Sequence, residues 1–386
     1  MNIVYEGKKL AVLGATSYQA ELMEKAKLLG IEVHAFAWAA DDVGEKVADH
    51  FYPISIVEKD EILKKCQEIG IDGITSVACD IAMPTVSYVA DKLGLIHNTL
   101  HCTEISTHKG KMREAFRSNN DPSPLSVTVD DSHPLEMENP VFPLIVKPTD
   151  RSGSRGITKV YKESELSKAI KIAINESYDK RAVVEEYAEG QEYSVEYVSW
   201  EGKHHFLALT KKYTTGSPHY IETGHRQPSG VDEKTLERVK KVISHALDSL
   251  EIKYGASHSE IKIDDEGNIK IIEIGGRMGG DHIGTKLVEM STGIDFLKAV
   301  IDVALGYEPD VTPKHRTMAA GVRFIVNKED RELLADIKKT NPGVLTHVEV
   351  WDDSLAEITN STDRHGLFVM QAENSEELDK YFEGLE

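Results

Sequence analysis

Glu260 and Glu273 carry the sharpest chemical signal in the sequence. Glu260 lies in Ala256-Ser-His-Ser-Glu-Ile-Lys-Ile263 and Glu273 in Ile269-Lys-Ile-Ile-Glu-Ile274. Between them, Asp264-Asp-Glu-Gly-Asn268 is a hairpin turn. Centring it near Gly267 sets the two glutamates opposite each other. Like charges directly opposed on paired strands destabilise a sheet unless something neutralises them. Mg2+ does so with hard oxygen ligands and keeps positions for substrate phosphates. Two solvent-facing carboxylates that repel weakly are the competing reading; the apolar residues flanking the pair favour burial and metal. Gly275-Gly-Arg-Met-Gly-Gly280 follows at once. The planar fork of Arg277, little shielded by its glycines, suits a phosphate or a developing oxyanion. A glycine-rich lead-in with a surface arginine is the plain alternative.

Lys147 ends the apolar strand Phe142-Pro-Leu-Ile-Val-Lys147 and is followed by Thr149-Asp-Arg-Ser-Gly-Ser-Arg155 and Gly156. A strand, a Gly/Ser loop and a second strand (Ile157–Tyr161) make a hairpin whose tip can fold over phosphates, with the lysine as a point charge. A solvated lysine beside a flexible hairpin reads equally well. No G-K-[ST] and no helix follow, so this is not a Walker A loop. In Ala182–Glu196, residues Glu185 to Ala188 can offer backbone groups to an adenine edge, and Glu192 can accept ribose hydroxyls; a solvated acidic hairpin competes. Lys109 and Arg113 share a face of a helix beginning near Thr107. Lys211, Lys212 and the run His219–Pro228, with Glu222, His225 and Arg226, are polar and compact; His225 is a general base or a structural loop histidine. Asp80 follows a strand, as a ligand group or as a helix N-cap. The Gly14-Ala-Thr-Ser loop lacks the full G-x-G-x-x-G pattern and reads as a tight strand–helix turn.

These residues need elements to hold them. The first hundred residues alternate strand and helix: strands at Lys9–Gly14, Glu32–Trp38, Phe51–Ile56 and Asp72–Val77, helices at Ser17–Leu29, Lys59–Ile69 and Ile81–Leu93. That alternation implies βαβ units and a mostly parallel sheet. The middle mixes strands, helices and glycine-rich turns, after a proline-rich linker at Asp121–Pro140 with a short strand at Leu125–Val129. The tail reads as a small α+β lobe, with strands at Ala319–Val326, His347–Trp351 and Gly366–Gln371 and helices at Glu329–Thr340 and Ser375–Phe382. Among 386 residues, 65 are acidic and 45 basic, a formal charge of −20. That balance argues against a nucleic-acid backbone as partner, though not against small anionic ligands. No run approaches the roughly 20 apolar residues that span a bilayer. The N-terminus reads as a strand rather than a signal peptide. Three widely spaced cysteines, Cys66, Cys79 and Cys102, fit a reducing compartment. A cytoplasmic enzyme is the expectation.

The order of these signals resembles the ATP-grasp superfamily and, within it, the carboxylate–amine ligases. Tyr220-Ile-Glu-Thr-Gly-His-Arg-Gln-Pro228 and Ile272-Glu-Ile-Gly-Gly-Arg-Met-Gly-Gly280 look closest to the L-amino acid ligases, which are dipeptide synthetases. The resemblance implies an α/β protein with ATP-grasp architecture. Residues 1–106 would be an N-terminal Rossmann-like parallel-sheet lobe, 107–306 the central α+β ATP-grasp lobes, and 307–386 a small C-terminal α+β lobe. By the same resemblance, Lys109 and Lys147 match phosphate-binding lysines. Ser152, Gly153, Ser154 and Gly156 match the mobile phosphate loop. Glu185, Glu186 and Ala188 match the adenine hinge and Glu192 the ribose ligand. Glu260 and Glu273 match the metal ligands, and Arg277, with Lys147, is catalytic. Gly275 stands where many members carry Asn as a further metal ligand.

The implied reaction transfers the ATP γ-phosphoryl to a carboxylate, and an amine then displaces phosphate from the acyl phosphate. The implied cofactors are ATP and Mg2+, with Mn2+ admitted in its place. The expected partners are small-molecule carboxylate and amine substrates, without nucleic acid or membrane, in a homodimer. A zwitterionic substrate would meet Asp281 through its ammonium and Arg226 through its carboxylate, with His225 and Glu222 beside them; alternatively, Asp281 only N-caps the helix starting near His282. Two other readings stay open: a ligase of primary metabolism acting on a nucleotide precursor or bicarbonate, and a non-catalytic nucleotide-binding module.

Overall fold

The computed structural model describes residues 4–133, 135–137, 139–151, 155–216, 220–352 and 354–385. Apolar strands at β1 (Lys9–Leu13), β2 (Glu32–Phe36), β3 (His50–Tyr52) and β4 (Gly73–Thr75) form a parallel sheet in the order β3-β2-β1-β4. Helices Ser17–Leu28, Val43–Val47 and Lys59–Ile69 connect them, and helix Met83–Leu93 follows β4. β3 is shorter than the sequence pattern suggests, because Pro53 has no N–H for the ladder. The helix expected near Thr107 is two helices, Leu100–Thr107 and Lys109–Asn119. They are split at His108, whose extended backbone ends one and whose ring accepts the Lys111 N–H to cap the other.

A second sheet contains β5 (Ser126–Val129), β6 (Leu144–Pro148), β7 (Thr158–Val160) and β8 (Ala182–Glu186) in the order β5-β8-β6-β7, all antiparallel. Helix Glu163–Glu176 lays Leu166, Ala169 and Ala173 on it. The third sheet has β9 (Gln191–Trp200), β10 (Lys203–Thr214), β11 (Glu222–Gln227), β12 (Gly255–Ile263), β13 (Ile269–Gly275), β14 (Ala319–Ile325), β15 (Leu345–Val350) and β16 (Gly366–Ala372). Its order is β13-β12-β9-β10-β11-β14-β16-β15. The strands of residues 307–386 therefore extend this sheet through the antiparallel β11–β14 pair, in which His225 faces Val322.

Helix Phe296–Ala304 binds the parallel sheet to the large one. It is buried on nearly every side. Phe296, Val300 and Ile301 share one core with Leu10, Val12 and Val33 of the parallel sheet and Val198, Leu207 and Ala256 of the large sheet. This docking sets the carboxyl end of the parallel sheet against β12 and β13. A buried Phe→Ala change costs about 3–5 kcal/mol through lost burial and the cavity it leaves. Phe296→Ala should therefore lower the urea midpoint by that much, whereas the half-exposed Ile172→Ala should stay within about 1 kcal/mol. Equal effects of the two changes would show that the helix is not the weld.

Candidate active site

A cavity of about 350 Å³ lies between the second and third sheets and is closed by Asp80, just beyond β4. Charged side chains reach it from many elements, and the structure pairs them. Glu260 and Glu273 are direct cross-strand partners on β12 and β13. Lys109 Nζ donates to Glu273 Oε1 at 2.8 Å and to the Arg151 carbonyl at 2.7 Å. Lys212 Nζ lies 2.7 Å from Glu192 Oε1 and 2.8 Å from Glu260 Oε1. Burial by itself would strip Lys212 of its proton; Glu192 and Glu260 outweigh it and hold the ammonium charged, well above the usual lysine range. Burial would likewise raise the Glu260 carboxyl, but Lys212 and His258 hold it well below the ordinary value. Two ionised carboxylates facing one cavity make a hard-oxygen donor set that fits Mg2+ or Mn2+.

Arg277 grips Asp80 with both arms of its fork: Nε donates to Oδ1 at 2.8 Å and Nη2 to Oδ2 at 2.7 Å. Asp80 is thus the arginine's counter-ion. Two glycines of the 275–280 run make room for this packing. A Cβ on Gly275 would lie 2.9 Å from Asp80 Oδ1, and one on Gly279 would lie 2.6 Å from His258 Nδ1. A side chain at 275 therefore cannot coexist with the Asp80–Arg277 pair as it stands. His258 is hydrogen-bonded to the fully buried Glu196, which also accepts the Gly279 N–H at 3.2 Å. Burial would lower the His258 value, but Glu196 reverses this and lifts it to about 9.

The structure places the expected residues unevenly. Glu185 lines the cavity with its carboxylate already paired: it is buried, contacts Lys147 and accepts Arg113 Nε at 3.0 Å. Burial favours its neutral form, yet Arg113 and Lys147 keep it below the ordinary glutamate value. Glu186 and Ala188 line the cavity, as do Glu192 and Glu222; Glu222 accepts the Ser361 hydroxyl at 2.7 Å. Arg226 is absent from the lining, because the bulge in the β10–β11 register puts it on the face opposite Glu222, where it pairs with Asp379. Asp281 is not an N-cap: its φ of 51° and that of His282 at 60° are left-handed. Its carboxylate is held by Arg364 at 2.9 and 3.0 Å, by His225 Nε2 at 3.2 Å and by the Tyr18 hydroxyl at 3.3 Å. Asp281 thus pairs with both His225 and Arg364, and neither Asp281 nor His225 is part of the cavity lining. Ser152, Gly153 and Ser154 lie outside the described residues. Gly156 does not reach the lining, although Arg151 and Arg155 do.

Lys212 enters the sequence reading only within a polar run, whereas His258 and Glu196 carry no role there, nor do Thr359, Asn360 and Ser361, which line the cavity from the far tail. Only His258 left a local trace: it precedes Glu260 by two residues, and so shares its face.

Removing one member of a buried ion cluster strands the rest, at a cost of about 3–5 kcal/mol. Glu185→Ala should therefore lose that much stability in chemical denaturation, with Glu186→Ala within about 0.5 kcal/mol of the parent. Because Glu185 titrates below its unfolded value, its contribution is complete above the ordinary glutamate range. It fades as pH falls through the folded value. A Glu185→Ala cost that does not shrink in acid would contradict this pairing.

Residues 140–286 match the family model described as the ATP-grasp domain. The chain is similar to D-alanine–D-alanine ligase B of Pseudomonas syringae pv. tomato, with 25% identity over 316 residues, 71% of this chain and 93% of the relative. It is also similar to alanine–anticapsin ligase of Bacillus subtilis, with 24% identity, 66% of this chain and 58% of the relative. Among solved structures, the L-amino acid ligase from Bacillus licheniformis superposes with a TM-score of 0.83 at 23% identity, covering 98% of this chain and 97% of that one.

Proposed function

From an ATP-grasp domain at residues 140–286, set in the fold of ATP-grasp enzymes, we propose an ATP-dependent carboxylate–amine ligase that joins amino acids, or a related acid and amine, through an acyl phosphate. The observation that carries this reading is the convergence of Lys109, Lys147, Glu260, Glu273 and Arg277 on one cavity. In a chain of net charge −20, such a concentration of basic groups on one small cavity suits a small polyphosphate.

The chemistry needs activation, because a carboxylate would have to expel oxide. Phosphoryl transfer converts that oxygen into a phosphate leaving group, and the protein's part is positioning and charge neutralisation. In the proposal, Lys109 and Lys147 exchange carboxylate partners for phosphate oxygens. Glu260 and Glu273 hold Mg2+, which when bound neutralises the phosphate charge; Mn2+ suits the same oxygens. The hinge donor is assigned to Ala188, because the N–H groups of Glu186 and Tyr187 are already bonded to Leu125 and Pro143 carbonyls. Glu192 takes the ribose. Arg277, held in orientation by Asp80, stabilises the oxyanion that forms when the amine attacks the acyl carbon. The acid and amine enter beside Glu222 and the 359–361 segment, so the substrate side is built from residues distant in sequence.

A matrix of amino acids assayed with ATP and Mg2+ should release phosphate and ADP with an amide product. AMP as the nucleotide product would overturn the acyl-phosphate route. Turnover only with a nucleotide precursor or bicarbonate would move the reaction to primary metabolism.

Glu273→Gln should keep the fold and lower kcat by about 10²-fold or more, the scale of losing one electrostatic group in a preorganised site. Near-normal turnover at saturating Mg2+ would remove Glu273 from the metal site.

A further inference from the structure

At the opposite, amino-terminal end of the parallel sheet, Glu32, His34 and His50 bring three ligand atoms within 4.8 Å of one another. Backbone register creates the group. His34 on β2 is the direct partner of His50 on β3, and Glu32 lies two residues before His34, on the same face. Both imidazole Nε2 atoms lie 3.1 Å from the same Glu32 oxygen, Oε1. The two rings stack with centroids 4.8 Å apart and planes 15° apart.

His34 is the informative member. Its side chain is 3% exposed. Its Nδ1 is 3.2 Å from the Tyr52 hydroxyl, so that nitrogen is taken. Its buried Nε2 lies at ion-pair distance, 3.1 Å, from Glu32 Oε1 and makes no further hydrogen bond. A buried ring nitrogen facing a carboxylate that a second imidazole also faces, with its other nitrogen held from behind, matches how metal-ligating histidines are oriented. We propose that Glu32, His34 and His50 bind one Zn2+.

Zinc bonds of about 2.0–2.1 Å in a tetrahedron place ligand atoms about 3.3 Å apart. The two observed 3.1 Å separations are close to that edge. Two imidazoles and one carboxylate are a borderline-soft set, suited to Zn2+ and poorly suited to Mg2+, which wants oxygen. The outer side is open, with His50 50% and Glu32 40% exposed, so water can take the fourth position. Glu32 and His50 begin their strands, whereas Asp80 and Arg277 lie beyond the other end of the sheet; none of the three lines the ATP cavity. The metal would fasten the three-residue edge strand β3 to β2.

The test uses untagged full-length protein, stripped with chelator and held in excess Mg2+ to mask Glu260 and Glu273. Calorimetric titration with Zn2+ should give one site per chain, and Co2+ should give visible d–d absorption. His50→Ala should weaken Zn2+ binding at least 10-fold and abolish the zinc-dependent rise in Tm, while ligase turnover with Mg2+ is unchanged. Glu32→Gln, a milder change at an exposed position, should weaken binding in the same direction. Equal zinc binding by His50→Ala and the parent would overturn the site. So would binding that survives His50→Ala but disappears in Glu273→Gln, or a parent protein that binds no Zn2+ at micromolar concentration.

Discussion

The cavity works under one constraint: ionised groups buried together must be neutralised by one another. Lys147 and Arg113 share Glu185; Lys109 takes Glu273; Lys212 bridges Glu192 and Glu260; Arg277 takes Asp80; His258 takes Glu196. Removing any single charge leaves a partner uncompensated in a medium that solvates it poorly. Adding a polyphosphate and a metal together is different. Each lysine can trade a carboxylate for a phosphate oxygen, while the released carboxylate takes the cation. The exchange conserves pairing, so the site can accept a highly charged ligand without a large new desolvation cost. Under the proposed function, a nucleotide and a metal should then help each other to bind.

That constraint dictates the architecture around it. Some pairs lie on neighbouring strands, as His258 and Glu196 do, but others join distant parts of the fold. Asp80 comes from the end of the parallel sheet and Arg277 from beyond β13, so their bidentate contact depends on how the helix Phe296–Ala304 seats one sheet on the other. The glycines at 275 and 279 are small because the pairs have already filled the space a side chain would need.

Much of this was legible in the sequence wherever the cause is local. The opposed glutamates follow from a turn and a period of two, and the observed register pairs Glu260 with Glu273. The βαβ alternation of the first hundred residues, with helix Lys59–Ile69, follows from spacing and capping. What was not legible depends on partners far along the chain. Asp281 looked free for an ammonium group because Arg364, its bidentate partner, is 83 residues away. The ion pairs that hold the Glu185 side chain were equally hidden, because nothing near it reveals Arg113 and Lys147 on other elements. Arg226 and His225 are adjacent in sequence, yet pleating sends them to opposite faces, and only the neighbouring strands decide which face holds the cavity. The junction of β11 with β14 has the same character: nothing in either segment names the other.

The continuity of the large sheet also bears on how this chain can be divided. β14 is buried along its whole length and hydrogen-bonded on both sides, to β11 and β16. Cutting the polypeptide just before β14 would leave a row of unsatisfied backbone donors and acceptors along the bared edge of β11, a template on which other chains can pair. The tail is therefore the guard of the sheet's interior edge. A fragment that keeps Lys109, Lys147, Glu260, Glu273 and Arg277 but drops the last strands would be prone to self-association before it could be tested for anything else.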